Sequence, residues 1–486
     1  MMPGFCRKKE SDVLVGVLQK SSLAEVRELL GRMDVSAYDA LELRLDACPG
    51  FSLAELAGMR FPLPVIFTLR AASEGGLSRM DEAERLLLLE QLAGLEPEYL
   101  DVESFVPTAF VAKLQERYPG LSCILSRHDF AKTPEDLDAV LAEMFAGRRV
   151  DGVSGKNIYK IACLAQNGLD SLRMLAFCKR AKSRGVHVVG ICMGPDGEST
   201  RILAPVVHYG LCYCPIEERS APGQIDSETL RSVYAFRNLN AETAVYGLLG
   251  DPVEHSVGHL YHNERNVQSG ENAVYVKWRL EQHHVAQALE LLQELGVHGL
   301  SVTMPLKEKV ADTLIACDTA VAAIGAANTL MLQGDGWHGA NTDGRGALDN
   351  LPGVAGKRVA LLGMGGAAKA IIYEILQHDV AELVVYNRTV RELPFARGVR
   401  VLPLDEIRSN GLLEYDCIIN ALPFTLDFPF ETIAFNPRSL ALDISYGGES
   451  PFLAAARAAG CRVFDGSAMF AGQARLQRLF WGCRAV

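Results

Sequence analysis

The sequence predicts an α/β protein in which an N-terminal (β/α)8 TIM barrel is followed by a two-lobed α/β fold with a Rossmann-type nucleotide-binding domain. Three observations lead to this prediction. Up to residue 238, short apolar runs alternate with longer segments of helical periodicity, as in a parallel sheet covered by helices. The number of such runs, eight, suits a closed barrel. A glycine-rich turn then opens a second alternating region after residue 357.

The barrel is predicted from strand and helix candidates that follow one another along residues 11–238. Its predicted strands span residues 13–18, 40–46, 64–70, 99–103, 122–129, 157–165, 186–193 and 206–214. Apolar residues recur every three or four positions between the strands, which predicts outer helices over residues 22–33, 81–95, 133–145, 168–184 and 226–237. The short polar stretch 238–242 marks the expected domain boundary.

The rest of the chain shows two patterns of predicted secondary structure. Strands and helices are mixed from residue 243 to about residue 343, and they alternate regularly from residue 357 to residue 465. We therefore predict a barrel over 1–238, a first lobe over 243–345 and a Rossmann-type lobe over 346–467. The final helix, about 468–486, is expected to pack back on the first lobe.

Composition narrows the classes of function. The 486 residues are 49% hydrophobic, enough for two or three domain cores. A formal net charge of -11 argues against a nucleic-acid partner, so an anionic substrate must be held by individual arginines. Twelve scattered cysteines lack zinc or redox spacing, which predicts reduced thiols and no metal site. With neither a signal core nor an apolar run of about 20 residues, we expect a cytoplasmic protein without a membrane partner.

Several polar residues end predicted barrel strands, which is where barrel active sites lie. Glu42 and Arg44 end the second strand, Arg70 ends the third with Glu74 just beyond, and His128 ends the fifth. Charged side chains inside barrel strands are rare without a function or a partner. These residues are therefore candidates for an active site.

Lys160 interrupts the apolar strand Ile158-Tyr-Lys-Ile-Ala162. Apolar neighbours disfavour an ammonium ion, so the neutral amine becomes available to attack a ketone and form a Schiff base. Lys160 is therefore the candidate nucleophile of the barrel. The alternative is an interior lysine that pairs with Glu42 or Glu74 for packing.

A glycine-rich turn, Gly363-Met-Gly-Gly-Ala367, joins an apolar strand to a helix, so that backbone N–H groups can face a pyrophosphate. Helix packing alone is the alternative explanation for such a turn. The next strand ends without the acidic residue that binds a ribose 2′-hydroxyl and offers Arg388 for a 2′-phosphate, which predicts NADP rather than NAD. The candidate cofactor-binding residues are Gly363, Gly365, Gly366, Ala367, Asn387, Arg388 and Thr389.

Residues 11–238 resemble type I 3-dehydroquinate dehydratases in six ordered motifs: Glu42-Leu-Arg44, Thr68-Leu-Arg-Ala-Ala-Ser-Glu-Gly-Gly76, Ser126-Arg-His-Asp129, Tyr159-Lys-Ile-Ala162, Thr200-Arg201 and Ser220-Ala-Pro-Gly-Gln224. The resemblance implies that Lys160 forms an imine with the substrate ketone. It implies that His128 acts as general base and acid and that Glu74 orients His128. It further implies a substrate pocket formed by Glu42, Arg44, Arg70, Arg201, Ser220 and Gln224.

Residues 243–486 are similar to shikimate dehydrogenases in a second set of motifs: Gly250-Asp-Pro-Val-Glu-His-Ser256, His262-Asn263, Ser301-Val-Thr-Met-Pro-Leu-Lys307, Ile324-Gly-Ala-Ala-Asn-Thr329, Asn341-Thr-Asp-Gly344 and Asp443-Ile-Ser-Tyr446. This similarity implies that Lys307 and Asp343 form a catalytic pair for the proton that accompanies hydride transfer. It implies that the substrate is held by Ser256, Thr303, Asn328, Tyr446 and Gln473.

Together the two resemblances imply a bifunctional enzyme of the shikimate pathway. Its expected reactions are dehydration of 3-dehydroquinate to 3-dehydroshikimate and reduction of that product to shikimate with NADPH. The same order of domains occurs in the bifunctional enzymes of plants. The expected partners are these small-molecule substrates, and the sequence does not predict an oligomeric state.

Two departures from the dehydrogenase pattern keep alternatives open. The family usually has His-Ser-x-Ser-Pro where this chain has His255-Ser-Val-Gly-His259, so a hydroxyl is missing at Gly258. Quinate is therefore an alternative substrate for the second half. The segment Asn420-Ala-Leu-Pro423 also stands where small hydroxyl residues are more usual.

A different class of function is that of a non-catalytic homologue that only senses shikimate-pathway metabolites. Such a regulator would have lost catalytic residues or gained a basic DNA-binding segment. This chain retains the expected catalytic residues Lys160, His128, Lys307 and Asp343, which favours an enzyme.

Overall fold

The computed structural model describes residues 13–146, 157–207, 210–217, 222–423, 426–445 and 448–484. Contacts within the chain divide it into two compact units. The first comprises Met1–Val245, His259–Leu280 and Gln287–Gly296, and the second comprises Tyr246–Gly258, Glu281–Ala286 and Val297–Val486. The chain is therefore not divided at a single point in the sequence.

The first unit contains eight parallel strands that form a nearly closed barrel, in the order β7-β6-β5-β4-β3-β2-β1-β8. The strands are β1 (Val13–Leu18), β2 (Ala40–Arg44), β3 (Val65–Thr68), β4 (Tyr99–Glu103), β5 (Ser122–Asp129), β6 (Asn157–Leu164), β7 (Val188–Met193) and β8 (Leu211–Pro215). The helices of this region are α1 (Leu23–Arg32), α2 (Leu53–Ala57), α3 (Glu82–Ala93), α4 (Thr108–Arg117), α5 (Leu137–Phe145), α6 (Gly168–Ser183), α7 (Glu198–Ile202), α8 (Ala204–Val207) and α9 (Ser227–Ser232). The predicted barrel is confirmed.

Side-chain alternation along the strands builds two apolar layers of the barrel. One buried cluster takes residues from strands around the barrel, including Val15, Ile124 and Val189. A second cluster joins strand residues such as Leu43 to helix residues such as Leu89. Each leucine side chain removed from water in this way contributes about 2 kcal/mol. The strand ends are thus held by a packed scaffold.

The ends of several barrel elements differ from the predicted ones. The eighth strand was expected over 206–214 but spans Leu211–Pro215, because residues 204–207 form α8; residues 208–209 lie outside the described chain. The helix predicted over 226–237 ends at Ser232, and Ala235 adopts a left-handed φ of 47° that interrupts it. The helix predicted from residue 133 begins only at Leu137, where Asp136 caps it.

Three elements from the later sequence complete the first unit in whole or in part. They are α10 (Gly258–Ser269), β10 (Ala273–Arg279) and most of α11 (Val285–Leu295). Trp278 of β10 is 1% exposed, and the backbone of Arg279 lies against the start of α6. The N-terminal barrel therefore shares its compact unit with residues that follow the predicted domain boundary.

A mixed six-stranded sheet has the order β10-β9-β11-β13-β14-β12. Strands β9 and β11 are parallel, whereas β13 runs antiparallel to β11 and to β14. Its remaining strands and the associated helices are β9 (Ala244–Gly250), β11 (Gly299–Val302), α12 (Lys307–Ala311), β12 (Ala316–Cys317), α13 (Thr319–Ile324), β13 (Thr329–Gln333), β14 (Gly336–Ala340) and α14 (Asp343–Leu348).

The last sheet is wholly parallel and has the order β17-β16-β15-β18-β19-β20. Counted from β15, this is the order 3-2-1-4-5-6 of a Rossmann fold, whose ligand site lies beside the first strand. The elements are β15 (Arg358–Leu362), α15 (Gly366–Ile375), β16 (Glu382–Asn387), β17 (Arg400–Pro403), α16 (Glu406–Asn410), β18 (Cys417–Asn420), β19 (Leu440–Asp443), α17 (Pro451–Ala458), β20 (Arg462–Phe464) and α18 (Gly466–Phe480).

Helix α18 begins close to the predicted position and makes polar contacts with the mixed sheet. The Gln477 side chain accepts a hydrogen bond from Ser301 and donates one to the carbonyl oxygen of Asn328. Trp481 Nε1, just beyond the helix, donates to the carbonyl oxygen of Leu330. None of the helices in the described chain could span a membrane, and the described cysteines form no disulfide bonds.

Candidate active sites

A cavity of about 120 Å³ opens at the carboxyl ends of the barrel strands. Its lining includes eight residues that the sequence predicted for the site: Glu42, Arg44, Arg70, Glu74, His128, Lys160, Arg201 and Gln224. Ser220 lies outside the described residues. Residues that are far apart in the chain therefore meet in one small polar cavity, as expected for the catalytic face of a barrel.

Lys160 points into this cavity from β6 and is 3% exposed. Its Nζ donates to Asp101 Oδ2 at 2.5 Å and lies 3.9 Å from Glu42 Oε1. The same nitrogen lies 4.6 Å from the centre of the Tyr213 ring. The surroundings of Lys160 are thus only partly apolar, because Asp101 supplies a buried negative charge that the sequence does not predict.

Asp101 belongs to a buried network of charges below the cavity. Arg70 Nη2 lies 2.8 Å from Asp101, and Arg70 Nη1 donates to Ser126 at 2.6 Å and to Glu103 at 3.2 Å. Burial alone would raise the pKa of Asp101, but the charges of Arg70 and Lys160 outweigh burial and lower that pKa. Arg70 therefore directs much of its guanidinium to Asp101 and Glu103, although it also lines the cavity.

His128 and Glu74 form a hydrogen-bonded pair at the cavity. Glu74 Oε2 lies 2.9 Å from His128 Nδ1 and accepts a hydrogen bond from the His128 backbone N–H at 3.0 Å. Burial, together with the charges of Arg70 and Lys160, lowers the pKa of His128, so the ring is neutral at neutral pH. Burial raises the pKa of Glu74 to about 7. A neutral imidazole oriented by a carboxylate can serve as a general base.

Two arginines differ in how their charge is compensated. Arg44 donates through Nε and Nη2 to the two carboxylate oxygens of Asp46, at 2.9 and 2.8 Å. Arg201 is 4% exposed, and its Nε has no hydrogen-bond partner among the described residues. Burial lowers the pKa of Arg201. A buried guanidinium with an unused donor suits an anionic ligand group, and a carboxylate would satisfy it.

The second unit holds a separate polar cluster around Lys307, the first residue of α12. Lys307 Nζ donates to Asp343 Oδ2 at 2.5 Å, and Asn328 Nδ2 donates to Asp343 Oδ1 at 2.7 Å. Asn328 lies just before β13 and is 1% exposed. The side chain of Lys307 is 16% exposed, so its ammonium group is reachable from solvent. This geometry places a proton donor beside a fixed carboxylate.

Asn328 also joins the lysine pair to α18 and α14. Its Nδ2 lies 3.3 Å from Gln473 Oε1, and its Oδ1 accepts a hydrogen bond from the Thr342 backbone N–H at 2.9 Å. Thr342 Oγ1 in turn lies 3.3 Å from the carbonyl oxygen of Gln473. The predicted residues Lys307, Asp343, Asn328 and Gln473 are therefore brought together by hydrogen bonds.

The remaining predicted residues of this site are less directly connected. Thr303 follows β11, is half-buried and donates its backbone N–H to the carbonyl oxygen of Leu249. Ser256 is half-buried, and its Oγ accepts a hydrogen bond from the N–H of Gly258 at 3.2 Å. Tyr446 lies outside the described residues.

The glycine turn after β15 leaves room for a ligand at the start of α15. Gly363 has a φ of 106°, and a Cβ there would lie 2.7 Å from the carbonyl oxygen of Ala421. A Cβ on Gly365 would meet no atom within 4 Å, and one on Gly366 would lie 3.7 Å from Lys307 Cδ. The helix N-terminus thus faces open space next to Lys307, which fits a dinucleotide pyrophosphate.

The end of β16 carries the residues expected beside the cofactor ribose. Asn387 donates through Nδ2 to the carbonyl oxygen of Thr389 at 2.9 Å, and Arg388 between them is exposed. At the ends of the neighbouring strands, Asn420 donates to Asp443 Oδ2 at 2.8 Å. The unusual Asn420 segment is therefore anchored to the sheet through its side chain.

Three residues of these sites, Asp101, Glu103 and Thr342, are not among those predicted from the sequence. Asp101 and Glu103 alternate with Leu100 and Val102 in β4, so two acidic side chains occupy the same side of an apolar strand. That pattern was a usable signal, because buried carboxylates require cationic partners. Thr342 carries no comparable signal, since threonine before a helix is common.

A barrel with a buried lysine and a histidine at its strand ends, followed by a Rossmann fold beside a lysine–aspartate pair, defines a fusion of a lysine-dependent lyase with a nicotinamide-dependent dehydrogenase. The sequence-family model of type I 3-dehydroquinase matches residues 16–241. The family model of the shikimate dehydrogenase substrate binding domain matches residues 248–330. The chain belongs to the family of bifunctional 3-dehydroquinate dehydratase/shikimate dehydrogenases, as two relatives show.

The shikimate biosynthesis protein AroDE of Chlamydia pneumoniae is 32% identical over 454 residues, which cover 91% of this chain and 90% of the relative. The chloroplastic bifunctional 3-dehydroquinate dehydratase/shikimate dehydrogenase of Arabidopsis thaliana is 30% identical over 484 residues, which cover 92% and 78% of the two chains. Among solved structures, shikimate dehydrogenase from Aquifex aeolicus is 28% identical, with 51% and 96% coverage and a TM-score of 0.47. The dehydroquinate dehydratase and shikimate dehydrogenase from S. pombe AroM is 21% identical, with 98% and 96% coverage and a TM-score of 0.42.

Proposed function

We propose that this chain dehydrates 3-dehydroquinate to 3-dehydroshikimate in its barrel and reduces that product to shikimate with NADPH in its second half. The observation that carries the proposal is that each half gathers its own motif residues around one lysine, Lys160 or Lys307. We assign the dehydratase to residues 1–238, the substrate-binding lobe to 243–345 with the helix at about 468–486, and the cofactor-binding lobe to 346–467.

The first reaction begins with attack of Lys160 Nζ on the ketone carbon of 3-dehydroquinate. The resulting carbinolamine loses water to give an imine, and His128 transfers the protons that these steps require. Asp101 holds Nζ at the cavity through its 2.5 Å hydrogen bond. Because Lys160 is almost fully buried, the imine is shielded from premature hydrolysis.

Elimination follows on the imine, which accepts the electron pair of the broken C–H bond. Neutral His128 removes the proton from C2, and the same proton then leaves with the C1 hydroxyl group as water. Hydrolysis of the imine releases 3-dehydroshikimate and restores Lys160. Glu74 keeps His128 in the tautomer that accepts the proton, since its carboxylate faces Nδ1 at 2.9 Å.

The substrate carboxylate is held by Arg201, whose buried Nε has no hydrogen-bond partner in the described part of the chain. A carboxylate accepts two parallel hydrogen bonds from a guanidinium, so this contact also sets the orientation of the ring. Gln224, Glu42, Arg44, Arg70 and Ser220 complete the pocket for the ring hydroxyl groups and the carboxylate.

In the second reaction, Lys307 Nζ passes a proton to the ketone oxygen of 3-dehydroshikimate, and Asp343 holds the lysine at 2.5 Å. Asn328 fixes Asp343 and, with Gln473, lies beside the substrate. Ser256, Thr303 and Tyr446 bind the substrate carboxylate and hydroxyl groups.

The cofactor site is formed by the glycine turn and the end of β16. When bound there, NADPH supplies a hydride to the ketone carbon. The open space at Gly365 and Gly366 would accommodate the pyrophosphate, with Gly363 and Ala367 completing the turn that holds it. Arg388, flanked by Asn387 and Thr389, would pair with the 2′-phosphate.

A coupled assay tests the whole proposal. The chain is supplied with 3-dehydroquinate and NADPH, and shikimate formation and NADPH oxidation are followed together. We expect one NADPH to be oxidised for each shikimate formed. Lys160→Ala should abolish the coupled reaction but retain reduction of added 3-dehydroshikimate. Lys307→Ala should accumulate 3-dehydroshikimate, since removal of a proton donor costs about 10²- to 10⁴-fold in rate.

Mixing the two variants provides the matched control, because the mixture contains one intact copy of each site. It should restore shikimate formation. If wild-type chain converts neither substrate while it binds NADPH, the proposal is wrong and a metabolite-binding role is favoured. Reduction of NADP with shikimate and with quinate, compared in the same assay, measures the consequence of Gly258.

A further inference from the structure

Arg279, the last residue of β10, holds two barrel loops with one guanidinium group. Its Nε donates to Asp196 Oδ1 at 2.9 Å and its Nη2 donates to Asp196 Oδ2 at 2.6 Å. The same Nη2 donates to the carbonyl oxygen of Gln166 at 2.8 Å. All three residues belong to the first compact unit. A bidentate pair of this kind sets orientation as well as distance.

The two loops held by Arg279 follow strands that line the active-site cavity. Gln166 lies two residues after β6, the strand of Lys160. Asp196 lies between β7 and α7, the short helix that carries Arg201. Arg279 therefore contacts the loop that follows the strand of Lys160 and the loop that precedes the helix of Arg201.

The backbone of β10 comes as close to the barrel as the side chain does. A Cβ on Gly168, at the start of α6, would lie 2.5 Å from the carbonyl oxygen of Arg279 and 3.2 Å from Trp278 Cβ. Ser171 of α6 donates a hydrogen bond to the carbonyl oxygen of Asp196. The Arg279–Asp196 pair is therefore part of a packed contact, which distinguishes it from a mobile surface ion pair.

We propose that Arg279 is a positioning residue of the dehydratase, supplied by a strand that the sequence assigns to the dehydrogenase half. The proposal rests on the proposed function of the barrel. Arg279 holds Asp196, and Asp196 holds the segment that leads to Arg201. Lys160 and His128 have their own partners, Asp101 and Glu74. Loss of Arg279 should therefore weaken substrate binding more than it slows the chemical steps.

The test compares Arg279→Ala with wild type in a direct dehydratase assay that follows the absorbance of the conjugated product. We expect KM for 3-dehydroquinate to rise about five- to tenfold with kcat changed less than twofold, because a small displacement of Arg201 weakens carboxylate binding. Arg279→Lys should give an intermediate KM, because it retains the charge and loses the bidentate geometry. Asp196→Asn should match Arg279→Ala, and the double variant should show no further increase.

Arg180→Ala is the matched control. Arg180 pairs with Glu294, so it joins the barrel to the same later sequence, but it lies near the other end of α6, about 18 Å along the helix. Its removal should leave the dehydratase KM unchanged. Hydrogen exchange in residues 194–202 should become faster in Arg279→Ala and stay unchanged in Arg180→Ala.

Three outcomes would overturn the inference: an unchanged dehydratase KM in Arg279→Ala, equal KM increases in both variants, or a parallel loss of both activities with unchanged exchange in 194–202. Failure of the proposed function is a different result, since the wild-type chain would then show no dehydratase turnover. The exchange comparison would still decide whether Arg279 positions the segment.

Discussion

The two sites both contain a lysine that donates to an aspartate at 2.5 Å, but the surroundings of the two pairs differ. The side chain of Lys160 is 4% exposed, and its partner Asp101 is shared with the buried cation Arg70. The side chain of Lys307 is 16% exposed, and its partner Asp343 receives its second hydrogen bond from a neutral amide. This difference supports the roles that we propose, in which Lys160 forms a bond and Lys307 passes a proton, because burial and neighbouring charges control the reactivity of an amine.

Covalent trapping gives the largest expected difference between the two lysines. Borohydride added with 3-dehydroquinate should reduce the imine and leave a stable adduct on the peptide that contains Lys160. Lys160→Ala should lose the adduct, and its dehydratase kcat should fall by about 10⁴-fold or more, because no other lysine among the described residues lines the cavity. Lys307→Ala should retain the adduct in full. An adduct on any other lysine, or wild-type activity in Lys160→Ala, would refute the covalent role.

Substitution of the two aspartate partners should give the second-largest difference between the sites. Asp101→Asn leaves Arg70 and Lys160 with one compensating charge fewer inside the barrel. We expect the free energy of unfolding to fall by about 3 kcal/mol, and the dehydratase kcat to fall about 100-fold as Lys160 moves. Asp343→Asn should lower the free energy of unfolding by about 1.5 kcal/mol, because Lys307 retains access to water. Denaturant unfolding of both variants measures this difference, and equal losses would contradict our account of the two surroundings.

A third expectation concerns the pH dependence of the barrel alone. Burial raises the pKa of Glu74 to about 7, so the carboxylate is protonated as the pH falls through 7. A protonated Glu74 donates to His128 Nδ1 and leaves the proton of the ring on the nitrogen that should act as base. The dehydratase kcat should therefore fall below pH 7. This acidic limb of the pH–rate profile should be absent from the dehydrogenase reaction, because Glu74 belongs to the barrel. Rates of both reactions between pH 5 and 9 provide the measurement.

Glu74→Gln is the corresponding variant. Its amide donates to Nδ1 at every pH, so the rate should be about tenfold lower and the limb near pH 7 should disappear. The free energy of unfolding should change with pH in the opposite direction to the rate. A group whose pKa is raised on folding stabilises the folded state when it is protonated. As the pH rises from 4.5 to about 7, wild type should lose free energy of unfolding relative to Glu74→Gln. An unchanged limb in the variant would assign it to another group.

The smallest expected effect concerns cofactor binding in the second half and should leave the dehydratase activity of the barrel unchanged. Arg388→Ala removes the exposed guanidinium at the end of β16. KM for NADPH should rise about tenfold and KM for NADH should change little, since only NADPH carries the 2′-phosphate. Steady-state assays with both cofactors provide the measurement. Equal increases for both would place the 2′-phosphate elsewhere.

Much of this molecule could be predicted from its sequence, because strand periodicity and short motifs are local signals. All eight barrel strands occur, and the six Rossmann strands lie within the predicted alternating region 357–465. The ends of α9 and β8 were missed, since they depend on Ala235 adopting a left-handed conformation and on a short helix before the strand. Tertiary contacts decide such details.

Eight residues that line the barrel cavity could be predicted from the sequence, but several of their hydrogen-bond partners could not. The eight cavity residues were accessible from motifs, but no motif indicated that Asp101 rather than Glu42 or Glu74 would pair with Lys160. The contact of Arg279 with Asp196 joins residues 83 positions apart and follows no local pattern. Partners of this kind are determined by packing, which a single sequence does not display.

The position of α18 has a consequence for how the protein is made. Residues 473–481 supply the Gln473, Gln477 and Trp481 contacts to the loop and strands around Asn328. The cavity-lining residues of the barrel, by contrast, all lie before residue 225. Domains generally fold as the ribosome releases them, at about 5–20 residues per second. We therefore expect the barrel cavity to be assembled many seconds before translation reaches α18, so that a nascent chain passes through a stage with one site formed and the other still open.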